Sequence, residues 1–137
     1  MGRSAVSIIA GFALWTILWL AVNTILQNAF PKLYGPSGDP VAVLLVILLV
    51  LSALYSVVSG YVTAAMAERD PERHALYLGL VLLTVGLFVQ IQNWNLAPAW
   101  FHVFFLGLLA PGTMLGGYLQ ATRSTPAPSD DSFDFRP

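Results

Sequence analysis

Residues 41–67 read VAVLLVILLVLSALYSVVSGYVTAAMA and contain no charged side chain. An α-helix of about 20 apolar residues crosses the roughly 30 Å of hydrocarbon in a bilayer. This stretch is therefore long enough to span a membrane as one helix. A helix also satisfies its backbone hydrogen bonds internally, which the bilayer interior requires.

Three further stretches of the chain have the same apolar character. The sequence predicts membrane-spanning helices over about 4–30, 41–67, 72–94 and 97–122. Short connections between such helices favour antiparallel neighbours. We therefore predict an all-α fold, an integral membrane four-helix bundle with antiparallel up-down topology that occupies residues 1–123.

The connections carry the expected helix-ending signals. Pro31, Pro36 and Pro40 stop the first helix and make a turn before the second. In the second connection, Asp70 is placed to be the N-cap and Pro71 the first residue of the third helix. The third connection, 95–98, is very short and predicts a tight helical hairpin.

Composition agrees with a membrane protein and excludes several function classes. Of the 137 residues, 57% are hydrophobic and 9% are charged, whereas a soluble domain has about 25% charged residues. The net charge of -1 and the lack of a basic patch predict no nucleic-acid partner. The sequence has no cysteine, which removes thiolate catalysis and most structural zinc sites. We predict no metal site and no cofactor.

Positive residues predict the orientation. Four arginines lie on one side of the predicted spans and Lys32 lies on the other; the arginines are Arg3, Arg69, Arg73 and Arg123. Because positive residues favour the cytoplasmic side, we expect a multi-pass protein of the inner (plasma) membrane with both termini in the cytoplasm. Residues 124–137 are rich in Ser, Pro and Asp, which predicts a disordered cytoplasmic tail.

Small residues form stripes on the second and fourth spans. We predict that they are helix-packing residues, because small side chains allow helices to approach closely in lipid. They are Ser52, Ser56, Gly60 and Ala64 on the second span and Gly107, Gly112 and Gly116 on the fourth. The stripes can pack the bundle internally or form a surface for a second copy or another subunit.

Neutral polar side chains gather in the third of the membrane farthest from the arginines. They are Asn23, Gln27, Gln90, Asn93 and His102. An amide in hydrocarbon costs several kcal/mol unless it is hydrogen-bonded, so we expect these groups to face inward. They predict a shallow polar pocket on the outer side, or alternatively hydrogen bonds that tie the helices together.

Pro111 interrupts the fourth span and predicts a kink, because proline removes a backbone hydrogen bond. No Asp, Glu, Lys or Arg lies inside the apolar runs 4–30, 41–67, 75–94 and 97–122, although such residues mark proton relays and coupling sites. The sequence also lacks a Ser/His/acid constellation, a carboxylate pair and a phosphate-binding loop. We therefore predict that the protein is not an enzyme.

Three short motifs carry a resemblance. They are GYVTAA at 60–65, PAWF at 98–101 and PGTMLGG at 111–117. Over roughly its last three spans the chain resembles small four-helix bacterial inner-membrane proteins of unknown function, and this resemblance implies the topology alone. The chain lacks the intramembrane glutamate that small multidrug transporters carry on their first helix.

Three functions are compatible with these observations. The first is a non-catalytic membrane protein that acts through helix packing, as an accessory subunit of a membrane complex or as a self-associating bundle. Its partners would be the lipid bilayer and other membrane subunits or itself. The alternatives are a small channel or facilitator for a neutral solute, and a protein that binds a lipid or quinone between its helices.

Overall fold

The computed structural model describes residues 2–37 and 39–124. Within them the chain forms four α-helices and no β-strand: α1 (Gly2–Ala29), α2 (Ala42–Met66), α3 (Pro71–Gln92) and α4 (Ala99–Ser124). This confirms the predicted all-α four-helix bundle. The helix ends differ from the predicted ones by one or two residues. The predicted tail lies outside the described residues, except for Ser124 at the end of α4.

Every one of the helices α1 to α4 is long and apolar enough to cross a membrane. Large apolar side chains on their outer surfaces are exposed, among them Ile9, Val43, Phe88 and Val103. A soluble protein rarely exposes so much contiguous apolar surface. The fold is therefore compatible with a multi-pass membrane protein whose outer surface contacts lipid.

At the glycines of the described helices, the closest approach of one backbone to another joins α2 to α4. A Cβ atom added to Gly60 would lie 2.1 Å from the carbonyl oxygen of Thr113, and one added to Gly116 would lie 2.0 Å from the carbonyl oxygen of Val57. Neither distance leaves room for a side chain larger than glycine. The backbones of the two helices are therefore in direct contact along their small-residue faces.

The helix α1 packs against α2 through its first half. A Cβ atom on Gly11 would lie 1.9 Å from the hydroxyl oxygen of Thr63, and that hydroxyl donates to the carbonyl oxygen of Ser7 at 3.3 Å. One helical turn farther along, the Trp15 indole N–H donates to the hydroxyl oxygen of Ser56 at 3.1 Å. These contacts fix the position of α1 on the α2–α4 pair.

The connection between α1 and α2 is a closed loop. It begins with a 3₁₀ turn, Pro31–Leu33, and the Gly35 N–H then donates to the Asp39 carbonyl oxygen at 2.6 Å. The Val41 N–H donates to the Leu33 carbonyl oxygen at 2.9 Å. The loop therefore returns the chain directly to the start of α2.

The start of α3 is only partly as predicted. Pro71 is the first residue of the helix and Asp70 occupies the N-cap position, but the Asp70 carboxylate makes no capping hydrogen bond. Asp70 instead adopts a left-handed backbone conformation, with φ of 48°. Its carbonyl oxygen accepts hydrogen bonds from the backbone N–H groups of Arg73 and His74.

The two ends of the bundle differ in their number of charged side chains. The arginine end carries Arg3, Arg69, Arg73 and Arg123, and here Arg3 forms an exposed ion pair with Glu68 that joins the start of α1 to the α2–α3 connection. The Lys32 end carries the α1–α2 and α3–α4 connections. An exposed ion pair of this kind contributes little to stability. That the arginine end faces the cytoplasm stays a prediction.

We expect Gly116→Ala to lower the free energy of unfolding by about 1 to 3 kcal/mol, because the new methyl group would collide with the backbone of α2. Gly107→Ala is the matched control on the same helix, since a Cβ atom there meets nothing within 4 Å. The control should leave stability within about 0.5 kcal/mol of the parent or raise it slightly. Unfolding of the protein in mild detergent by added dodecyl sulfate, followed by circular dichroism, measures both. Equal stability of the two variants would contradict the contact.

Candidate functional site

A cavity of about 460 Å³ lies between α1, α3 and α4 in the half of the bundle nearest the Lys32 end. Leu45 and Leu48 of α2 close its back wall, and residues of both connections at this end contribute to its mouth. The volume is typical of sites that bind small molecules, which occupy about 300 to 1,000 Å³.

Aromatic side chains form the deeper wall of the cavity. Trp15 and Trp19, one helical turn apart on α1, stack with ring centroids 5.5 Å apart. Phe105 of α4 packs edge-on against Trp19 at 5.1 Å. Phe12 and Phe101 extend this apolar wall. The sequence analysis did not single out these residues, although the i, i+4 spacing of Trp15 and Trp19 and of Phe101 and Phe105 was a usable signal.

The polar end of the cavity contains every residue of the predicted polar pocket. Asn23, Gln27, Gln90, Asn93 and His102 all line this one cavity, although Gln27 and Asn93 are exposed and only Gln90 and His102 are buried. They converge because each set shares a helix face and the faces of α1, α3 and α4 meet here. None of the described residues that line the cavity is an Asp, Glu, Lys or Arg. The site is therefore polar but uncharged.

Two of the amides are held by their own helices. Asn23 donates to the Trp19 carbonyl oxygen and Asn93 donates to the Val89 carbonyl oxygen, each at 2.8 Å. Neither amide oxygen has a hydrogen-bond partner among the described residues, so each is free to accept a hydrogen bond from a ligand. Asn23 and Asn93 do not tie helices together.

His102 is the most buried polar group of the site, with 1% of its surface exposed. Its Nδ1 atom lies 2.6 Å from Oε1 of Gln90. Its Nε2 atom lies 3.1 Å from the carbonyl oxygens of both Trp94 and Ala97. The imidazole ring also stacks on the Trp94 indole, with centroids 4.5 Å apart and planes inclined by 16°. His102 therefore links α4 to α3 and to the connection between them.

Tyr34 adds a polar group that the sequence analysis did not assign to the pocket. Its side chain lines the cavity, and its hydroxyl oxygen is buried without a hydrogen-bond partner in the described part of the chain. Burial raises the pKa of the Tyr34 phenol, so the hydroxyl stays protonated and can donate a hydrogen bond. The hydroxyl itself has almost no accessible surface, so it is the rest of the Tyr34 side chain that borders the cavity.

The predicted helix-packing residues lie away from the cavity. Ser52, Ser56 and Ala64 are buried on α2, and a Cβ atom on Gly112 would lie 2.7 Å from Cβ of Ser56. Ser56 and Gly112 therefore belong, with Gly60 and Gly116, to the contact between α2 and α4. Gly107 is outside it, since a Cβ atom there meets nothing within 4 Å.

Pro111, the predicted kink, lies inside α4 on its exposed surface and not on the cavity wall. Among the described residues, no group of three or more His, Cys, Asp or Glu side chains is placed to hold a metal ion.

No family model, no curated protein and no solved structure matches this chain. The assignment of function therefore depends on the geometry of the cavity.

We expect the Gln90–His102 hydrogen bond to be stronger than the average polar contact between membrane helices. Polar contacts between membrane helices have coupling energies that average about 0.6 and reach about 1.7 kcal/mol. Because the Gln90–His102 contact is buried and short, a double-mutant cycle of Gln90→Leu and His102→Phe should give a coupling energy near the upper end of that range, about 1 to 2 kcal/mol. The control cycle pairs His102→Phe with Asn93→Leu, whose side chain bonds to its own helix. Detergent unfolding measures both cycles. A coupling energy no larger than that of the control would show that the pair does not hold α3 to α4.

Proposed function

We propose that this membrane protein binds a neutral, lipid-soluble small molecule in the cavity. The polar head of the ligand would lie at the Lys32 end, and its apolar body would lie against the aromatic wall. The observation that supports this proposal is the combination of an aromatic wall and an uncharged polar end in one cavity of about 460 Å³.

The chemistry of the wall favours a neutral head group. A charged head would lose its hydration without gaining a permanent opposite charge, because no Asp, Glu, Lys or Arg is among the described residues on the wall, and burial of an unpaired charge is costly. A neutral head instead meets the unpaired amide nitrogen of Gln90, a donor, and the unpaired amide oxygens of Asn23 and Asn93, which are acceptors. Quinones and long-chain alcohols have this chemistry, whereas phospholipids do not.

A role through helix packing has less support. The small-residue faces that suggested self-association or an accessory role are used inside the bundle, where Gly60 and Gly116 contact the opposite backbone. Of the predicted packing residues, only Gly107 presents open space among the described residues. One glycine is a small basis for an interface, so we favour ligand binding over this role.

A channel or facilitator is also less well supported than a binding site. The deepest lining residues of the cavity are Phe12 on α1 and Leu82 on α3. Beyond them, toward the arginine end, Gly11 and Gly60 lie so close to neighbouring atoms that a Cβ atom would not fit. A solute that entered from the Lys32 end would meet this packed layer.

The proposal is tested by filling the cavity. Val85 lines the cavity and Val81 does not, although both lie on α3 and are exposed to a similar extent, 42% and 39%. We expect Val85→Trp to weaken binding of a benzoquinone with a ten-carbon tail at least tenfold, because the indole would occupy ligand space. Val81→Trp should bind as the parent does. Titration calorimetry in lipid nanodiscs, with empty nanodiscs as background, measures the affinity.

A complementary measurement is an organic extract of the protein purified in mild detergent, analysed by mass spectrometry. The parent and Val81→Trp should retain a neutral lipid-soluble molecule that Val85→Trp has lost. If the extract contained no such molecule and the quinone bound no better than to empty nanodiscs, the proposed function would be wrong.

A further inference from the structure

The surroundings of His102 determine where one of its protons must be. Nε2 lies 3.1 Å from two backbone carbonyl oxygens, those of Trp94 and Ala97. Carbonyl oxygens can accept hydrogen bonds but cannot donate them. Nε2 therefore carries a hydrogen atom in any state that satisfies these contacts, and the remaining freedom lies at Nδ1.

Nδ1 faces the side-chain amide of Gln90, whose two ends have opposite hydrogen-bonding character. When Nδ1 is protonated, it donates to Oε1 of Gln90, which is the arrangement in the structure at 2.6 Å. When Nδ1 is unprotonated, it can only accept, so the NH₂ group of Gln90 must face it instead. The two arrangements differ by a half-turn of the terminal amide. This torsion is broad and roughly two-fold in side chains of this type, so the half-turn needs no additional space.

Gln90 lines the cavity, and its amide nitrogen has no hydrogen-bond partner in the described part of the chain. The end of the amide that does not face His102 is therefore available to a ligand. When His102 is protonated, the NH₂ group of Gln90, a donor, faces the cavity. When His102 is neutral, Oε1 of Gln90, an acceptor, faces the cavity.

We propose that the proton on His102 determines the hydrogen-bonding character of the cavity, and hence that the site discriminates between the quinone and hydroquinone forms of a ligand. This inference depends on the proposed function. A quinone head has carbonyl oxygens that only accept, so it needs the NH₂ group of Gln90 and the protonated histidine. A hydroquinone has hydroxyl groups that donate and accept, so it can bind in both states.

His102 is 1% exposed, which disfavours a charged ring, and the contacts around the ring offset part of that cost. Stacking on the Trp94 indole at 4.5 Å places a cation against an aromatic face, which is favourable. Three oxygen acceptors surround the two ring nitrogens.

The other elements that line the cavity contribute no charge near this ring. The described cavity-lining residues of α1 and α3, including Asn23, Gln27 and Asn93, are neutral, and those of α2 are Leu45 and Leu48. The connection between α1 and α2 contributes Tyr34, whose pKa is raised, so that its phenol stays neutral. His102 is therefore the side chain on this wall whose protonation changes the charge of the site.

The experiment uses the full chain in lipid nanodiscs with His74→Gln, which leaves His102 as the single histidine of the 137 residues. His74 hydrogen-bonds to the Asp70 carbonyl oxygen near the arginine end, away from the cavity. Ring ¹⁵N NMR then reports the protonation of His102 directly. A benzoquinone with a ten-carbon tail and its hydroquinone, kept under argon, are titrated well below and well above the measured midpoint.

We expect the affinity for the quinone to fall about tenfold or more between the protonated and neutral states, because a buried hydrogen bond to the ligand is lost. The affinity for the hydroquinone should change less than threefold. Linkage requires the reciprocal effect, so saturation with quinone should raise the titration midpoint of His102 by about one pH unit for a tenfold preference. Gln90→Met should abolish the difference between the two states, and Asn93→Leu, which removes a neighbouring amide, should retain it.

The outcomes separate this inference from the proposed function. Quinone affinity that does not depend on the protonation of His102 would refute the inference and leave the binding site intact. The same holds if the midpoint of His102 does not move on quinone binding, a measurement that needs no variant at Gln90 and therefore does not depend on how Gln90→Met folds. If neither probe bound at any pH, both the inference and the proposed function would be refuted.

Discussion

The backbone contact between α2 and α4 is the interaction on which the rest of the structure depends. Helices in lipid gain no hydrophobic attraction for one another, so they associate through close packing and interhelical hydrogen bonds. Gly60 and Gly116 allow that packing by exposing backbone to backbone. The helix α3 joins this pair in the same way, since a Cβ atom on Gly79 would lie 2.5 Å from the Thr113 hydroxyl oxygen. A bundle without ionic side chains in its interior is therefore held by steric fit.

The position of the cavity follows from how side-chain size changes along the bundle. Toward the arginine end, the interior contains Gly11, Ser59 and Thr63, and the helices approach closely. Toward the Lys32 end, Trp19 and Phe105 take their place. Large rigid rings hold helix backbones apart and do not fill every gap between them. The arginine end of the bundle is therefore closely packed, and the Lys32 end has room for a ligand.

Much of this arrangement could be predicted from the sequence. The lengths of the apolar stretches determined the number of helices and their ends, because a bilayer has a fixed thickness. The cost of an unpaired amide in hydrocarbon agrees with the burial of Gln90 against His102, whereas Asn93, which we expected to face inward, lines the cavity but is exposed and bonds to its own helix. Both constraints depend only on the order of residues along the chain, so the sequence is enough to apply them.

What could not be predicted depends on rotations of the helices about their axes and on the conformation of the connections. The sequence shows that Gly60 lies on a small-residue face of α2, but it does not show which helix packs on that face. An internal contact and an oligomer interface could therefore not be distinguished. Asp70 was placed correctly as the N-cap, but its left-handed backbone has no sequence signal comparable to glycine. The carbonyl oxygens of Trp94 and Ala97 reach His102 only because a 3₁₀ turn, Trp94–Leu96, directs them inward.

If the proposed switch operates, the His102–Gln90 pair would let the site respond to protons without a carboxylate on its wall. A buried carboxylate would need a counter-charge, whereas an imidazole can be neutral or charged within the same set of hydrogen bonds if its partner is an amide that can turn. The packed layer below Phe12 and Leu82 separates this pair from the arginine end. In the proposed mechanism a proton at His102 would therefore exchange with the Lys32 end, where the proposed ligand would also enter, so that protonation and ligand binding would be coupled at one end of the bundle.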